Sequence, residues 1–206
     1  MPQYKEEYRR HLPHIIPLGG MFHVVFRTKG SIPTFVMEKL SEEFQEKKLN
    51  VVAKSRSERD KILFDLNREY FEEFENFLHQ EKEGALTDFG KASIIKNALY
   101  FHDGKKFSLV AFSIMPNHVH LLVMNVRQNL SSIMKSIKGF SAYEINKLDA
   151  VHGTFWQDEN YDHMIRSRNE MAETIKYILK NPVKSGLCDH YSEHPFTWCN
   201  ERYLDK

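Results

Sequence analysis

The sequence predicts an α+β domain, an antiparallel sheet with helices packed on one of its faces, and three observations carry that expectation. Residues 21–27 (MFHVVFR) are rich in β-branched and aromatic side chains and are bounded by Gly19-Gly20 and Gly30. KFSLVAFSI (106–114) and HVHLLVM (118–124) are two further runs of this kind, separated only by Met115-Pro116-Asn117, a link short enough for a hairpin. Helical periodicity fills the intervals, but without the regular strand–helix–strand rhythm of a parallel sheet.

After the first strand, residues 35–49 read as a short amphipathic helix. A longer helical pattern follows, with Ile62, Leu63, Leu66, Tyr70, Phe74, Phe77 and Leu78 at helical spacing and Gly84 as its stop. Residues 91–102 repeat the pattern through Ile94, Ile95, Ala98, Leu99 and Phe101, and Asp103-Gly104 is a turn signal. Residues 131–148 form another helix, with Ile133, Met134, Ile137, Phe140, Tyr143 and Ile145 on its apolar side. Residues 152–168 read as irregular and polar, with room for one short strand. The last helix is expected from Asn169, as its cap, to Lys180, with Glu170 and Glu173 in the first turn and Pro182 barring continuation.

Composition narrows the function classes. The 206 residues suit one domain carrying an insertion, and no stretch approaches the apolar length of a membrane span. The opening MPQYKEEYRRHLPH has no apolar core of a secretory signal. Cys188 and Cys199 form neither a zinc spacing nor a disulfide framework, so a cytoplasmic setting is expected. Net charge is only +1, yet residues 41–90 hold 13 acidic and 8 basic side chains, so the remainder carries +6. A moderately basic body behind an acidic segment is compatible with a polyanionic partner.

Two motifs carry chemistry. In Pro116-Asn117-His118-Val119-His120, positions i and i+2 of a strand project to one face, placing two imidazoles side by side as ready metal ligands. An isolated pair of this spacing is also found on solvated strand faces and in cores. In Tyr177-Ile-Leu-Lys-Asn181, residues i and i+4 share a helix face, presenting a phenol and an amide together. Taken alone that motif is an ordinary helix end. Together, His118, His120 and Asn181 make a two-nitrogen, one-oxygen set suited to Mg²⁺ or Mn²⁺ in an open site. Tyr177 is then a nucleophile whose phenolate a nearby cation, helped by Lys176 or Lys180, would favour.

The blocks FHVVFR (22–27), IMPNHVHLLV (114–123), SSIMKSIKGFSAYEIN (131–146), FWQDENYDHMIR (155–166) and YILKNPVKSGL (177–187) resemble, in the same order, those of the REP-associated tyrosine transposases of the HUH single-strand endonuclease superfamily. The resemblance spans more than half of the chain. It implies a ferredoxin-like sheet with the two histidines at its centre, metal at His118, His120 and Asn181, and cleavage of one DNA strand near a hairpin through a 5′-phosphotyrosine at Tyr177. The whole chain, 1–206, is then one transposase-like domain with an acidic helical insertion at about 36–84, to which no role is assigned.

Single-stranded or hairpin DNA is the expected partner, with the chain acting as monomer or homodimer. Arg27, Lys135, Lys138, Arg166 and Lys176 are the candidate phosphate contacts, with Lys29 and Arg168 beside them. Trp156, flanked by Phe155 and Tyr161, is the candidate base-stacking residue. His163 and Asp162 are candidates for orienting a ligand or the DNA, and His23 is expected near the histidine strand. Three other readings stand beside the nuclease: a catalytically silent hairpin-binding protein, a metal-dependent hydrolase using water with Tyr177 structural, and a replication initiator or relaxase. Against the last, the chain holds no P-loop motif.

Overall fold

A computed structural model describes residues 8–10, 12–14, 18–51, 55–80 and 83–204. The chain divides into two compact units, one of residues 1–29 and 82–206 and the other of Gly30–Glu81.

The first unit is built on a five-stranded antiparallel sheet. Tyr8–Arg10 (β1) and Leu12–His14 (β2) form a small ribbon of their own, and Met21–Thr28 (β3) opens the main sheet. Phe89–His102 (α3), Ser108–Ile114 (β4), His118–Met124 (β5), Leu130–Leu148 (α4), Trp156–Ile165 (β6), Arg168–Lys184 (α5) and Thr197–Cys199 (β7) follow. The strand order is β6-β3-β5-β4-β7, and every neighbouring pair is antiparallel. The first four strands in that order, joined through α3 and α4, make the expected ferredoxin-like arrangement.

Strand alternation divides the core into two layers. Phe22, Val24 and Phe26 of β3 and Val119, Leu121 and Val123 of β5 face one way and pack with Ile95 and Leu99 of α3 and Ile133 and Ile137 of α4. The other face meets α5, whose Ile175, Ile178 and Leu179 pack on Val110, Ala111, Leu122 and Ile165. Helices thus cover both faces, where the sequence reading put them on one. A register shift between Leu109 and Ala111 of β4 rephases the alternation, which lets Val110 and Ala111 both serve the α5 layer.

Three local expectations change around β6 and α5. Residues 156–165, read as mainly irregular, form a ten-residue edge strand. Among the described residues it pairs only with β3, and only Trp156 and Ile165 at its ends are fully buried, so it has no alternating apolar pattern to read. The cap of α5 is Ser167 rather than Asn169, its side chain accepting from the Glu170 N–H at 3.1 Å. Pro182 does not stop the helix, which runs to Lys184. Proline removes one donor, but so close to the C-terminus the turn is still closed by Ser185 N–H on the Asn181 carbonyl and Leu187 N–H on the Pro182 carbonyl, each 2.9 Å. That continuation keeps Asn181 in helical register with Tyr177.

Gly84 does not cap the preceding helix. It passes so close to the turn at Pro116 that a Cβ there would run into the Pro116 carbonyl, and Leu86 N–H donates to that same carbonyl at 2.9 Å. Gly84→Ala is expected to destabilise the protein by about 1–3 kcal/mol through this overpacking. A lowered midpoint in thermal unfolding checks it, and an unchanged midpoint refutes it.

The second unit consists of Thr34–Leu49 (α1) and Arg56–Gln80 (α2). The Phe44 and Tyr70 rings tilt together at 5.1 Å between centroids, and Lys47 Nζ meets Glu69 Oε2 at 3.1 Å. No helix among the described residues is long and apolar enough to cross a membrane.

Candidate metal and nucleophile site

The site begins on β5, which lies between β3 and β4 at the centre of the sheet. His118 and His120 point to the α5 face because they are two residues apart on a strand. They are 1% and 0% exposed, and their Nε2 atoms converge to 3.0 Å. Each ring meets a second polar group through Nδ1. His118 Nδ1 is 2.6 Å from Asn117 Oδ1, and His120 Nδ1 is 3.3 Å from Nε2 of His23 on the neighbouring strand β3. An amide oxygen only accepts, so His118 carries its proton on Nδ1 and its Nε2 is the lone-pair nitrogen. The turn before His118 is tied down as well. Its Asn117 carbonyl accepts from Thr28 N–H at 2.8 Å and from Thr28 Oγ1 at 3.1 Å.

α5 contributes the other two groups. The Tyr177 ring stands edge-on to His120 and to His23, with centroids 5.7 Å and 6.1 Å away. One turn further, the Asn181 side chain is 1% exposed, and neither its oxygen nor its nitrogen has a hydrogen-bond partner among the described residues. Leaving a buried amide unsatisfied costs about 1–3 kcal/mol, a cost that a bound cation accepting the oxygen would offset. The donor types suit a divalent metal: two imidazoles whose Nε2 atoms converge, and a buried amide oxygen without a partner among the described residues.

The electrostatics around His23 keep it neutral. Burial, and secondarily the charge of His163 across the β3–β6 pairing, push its pKa down to about 3. His163 in turn sits 2.7 Å from Glu170 Oε1. Burial alone would raise the Glu170 pKa, but the Arg166 N–H bond at 2.7 Å and the His163 contact outweigh it and hold the carboxyl below the usual range.

The remaining expected residues are spread over the molecule. Arg27 is buried and stands opposite His118 in the β3–β5 register, on the histidine face. Arg166 and Lys176 are exposed at and along α5, Lys176 paired with Glu173 at 3.1 Å. Lys135 is exposed on α4, in the layer on the other side of the sheet. Two placements do not suit DNA contact. Lys138 donates to the Gln157 carbonyl (2.7 Å), the Asp158 carbonyl (2.8 Å) and Asn160 Oδ1 (2.9 Å), which ties α4 to β6 and occupies the ammonium. Trp156 is 3% exposed, packs edge-on against Phe26 and donates its indole N–H to Ser141 Oγ at 3.0 Å, so it presents no face to a base. A large aromatic residue in a polar stretch reads the same from sequence whether it is a core anchor or a stacking platform.

Residues 77–181 match the model of the family described as "Transposase IS200 like", a span that covers half of the chain and includes His118, His120, Tyr177 and, as its last residue, Asn181. The chain belongs to the IS200-like transposase family. A protein of Haemophilus influenzae assigned as a REP-associated tyrosine transposase is 27% identical over 103 residues, 44% of this chain; the chain spans 58% of that relative's length. In three dimensions the chain is similar to a REP-associated tyrosine transposase solved bound to a REP hairpin, with a TM-score of 0.53, 16% identity, and 98% of this chain and 95% of that one covered. That likeness is one of fold. The expected kinship therefore holds at the level of the family and the architecture.

Proposed function

We propose that this IS200-like transposase is a metal-dependent single-strand DNA endonuclease and strand transferase, with Tyr177 as nucleophile, acting at hairpin-flanked sites. The observation that carries the reading is the Tyr177 ring set edge-on to His120, one helical turn from a buried, unsatisfied Asn181. His118, His120 and Asn181 would hold Mg²⁺ or Mn²⁺, which when bound supplies Lewis-acid polarisation of a phosphoryl oxygen.

The chain's own groups do the rest. Packing of α5 on the sheet through Ile175, Ile178 and Leu179 holds the phenol in one orientation, so little freedom is lost on reaching the phosphorus. The phenol gives up its proton, the Tyr177 Oη–P bond forms, and the bond from phosphorus to the 3′ oxygen breaks, that oxygen leaving as a hydroxyl. The 5′-phosphotyrosine keeps the free energy of the cut link, so attack by another 3′-hydroxyl rejoins strands without a nucleotide cofactor. Arg27, Arg166 and Lys176 are the phosphate contacts of this reading, and Lys135 is a remoter one.

The test is a denaturing gel of labelled hairpin oligonucleotides, taken from the flanks of the source gene, incubated with the protein and Mn²⁺ or Mg²⁺. A covalent protein–DNA band is expected. Cleavage without the band would transfer the chemistry to water, and tight binding without cleavage would make the chain a hairpin reader. Binding is further expected to weaken with salt. Each phosphate neutralised on a single strand contributes about −0.7 to the slope of log K against log salt, so the three contacts nearest α5 and the histidine face give about −2. A flat titration refutes those contacts.

A further inference from the structure

We propose that His23 is a positioning residue: it accepts a hydrogen bond from the Nδ1–H of His120 and so sets the tautomer in which His120 turns its Nε2 lone pair to a divalent cation. The proposal rests on the reading of His118, His120 and Asn181 as a metal seat, and it adds a residue outside that set.

Register places the two rings together. His23 of β3 pairs with Leu122, and His120 pairs with Val25, so the histidines are diagonal neighbours on the α5 face. Their rings are nearly parallel, 16° apart with centroids at 5.5 Å, and His23 Nε2 lies 3.3 Å from His120 Nδ1. A neutral imidazole carries one ring proton, so the partner of one nitrogen decides the state of the other. If His120 carried its proton on Nε2, that proton would point at His118 Nε2, 3.0 Å away, and close the seat. With the proton on Nδ1, the two Nε2 lone pairs face each other, an arrangement that a shared cation stabilises. Asn117 Oδ1 imposes this state on His118. On the His120 side the group in the corresponding place is His23, whose Nε2 accepts when its own proton is on Nδ1.

Packing alone does not explain an imidazole here. His23 is almost wholly buried, opposite Leu122 on β5 and His163 on β6 with the Tyr177 ring at its edge, where an apolar ring would incur no desolvation cost. Groups that hold the second nitrogen of a metal-binding histidine typically change metal affinity 10- to 100-fold when removed.

The experiment titrates Mn²⁺ into the full chain, read by electron paramagnetic resonance, for wild type, His120→Ala, His23→Phe and His23→Gln, with circular-dichroism melts alongside. His23→Phe keeps a stacked ring without an acceptor, and His23→Gln keeps an acceptor without the ring. His23→Phe is expected to bind Mn²⁺ about 10- to 100-fold more weakly, with His23→Gln within about threefold of wild type. Wild-type affinity in His23→Phe, or equal losses in both variants, overturns the proposal while the metal seat stands, provided His120→Ala loses binding. If wild type binds no Mn²⁺, or His120→Ala binds it unchanged, the metal seat itself falls and this proposal with it. A measurement on wild type needs no substitution: in Mg²⁺-loaded, ¹⁵N-histidine-labelled protein, a ¹⁵N–¹⁵N coupling across the His120–His23 hydrogen bond is expected, with the proton on His120 Nδ1. No coupling, or a proton on His23, overturns it.

Discussion

Tyr177→Phe is expected to abolish the covalent protein–DNA band and to lower strand cleavage at least about a thousandfold, as removal of a nucleophile that acts through a covalent intermediate does. The substitution removes one oxygen and keeps the ring. Its edge contacts with His120 and His23, at 5.7 Å and 6.1 Å, survive in phenylalanine, and only the hydroxyl is lost. Stability should therefore fall by no more than the worth of one hydrogen bond, about 0.5–1.5 kcal/mol, and the Mn²⁺ affinity should stay close to wild type, while the chemistry disappears. Hairpin binding should persist too, since the proposed phosphate contacts, Arg27, Arg166 and Lys176, are untouched. Cleavage at the wild-type rate in Tyr177→Phe would place the nucleophile in bound water and reduce Tyr177 to a wall of the site.

His120→Ala is expected to remove metal-dependent cleavage by about a hundredfold or more, because it deletes one of two converging imidazoles rather than a supporting group. It also opens a cavity in the central strand, at a position with no exposed surface, so a loss of about 1–3 kcal/mol in stability accompanies it. The two effects separate on metal titration. A purely structural defect lowers the folded fraction without changing the Mn²⁺ affinity of the molecules that fold. Loss of a ligand weakens that affinity in fully folded protein. Full metal-dependent activity in His120→Ala would end the assignment of the histidine pair as metal ligands.

Much of the fold was legible because its signals are local. β3, β4 and β5 are continuous runs of β-branched and aromatic residues, and α1 to α4 repeat apolar side chains at helical spacing; each was placed to within a few residues. β6 was not legible. A strand with one partner and exposed polar residues on both sides has no burial pattern to impose alternation, so its ten residues looked like loop. β7 was missed for a simpler reason: three residues carry too little pattern, and pairing with β4 alone makes them a strand. Ser167 as the cap of α5, and Pro182 inside it, depend on hydrogen bonds that a residue alphabet does not state.

The sequence by itself determined which side chains travel together. The period of a strand puts His118 and His120 on one face, and the period of a helix puts Tyr177 and Asn181 on another, whatever the rest of the chain does. Only the tertiary structure decided which faces meet. It set α5 against the histidine side of the sheet, apart from α3 and α4, and so brought Tyr177 to His120. It brought His23 to His120 across 97 residues of chain through the β3–β5 register. It turned Trp156 into the core and bound Lys138 to the β6 backbone, which removes both from the candidate DNA contacts. The physical reason is the reach of each interaction. Local periodicity acts within a few residues, whereas strand register and the choice of sheet face are settled by burying apolar surface between segments far apart in sequence.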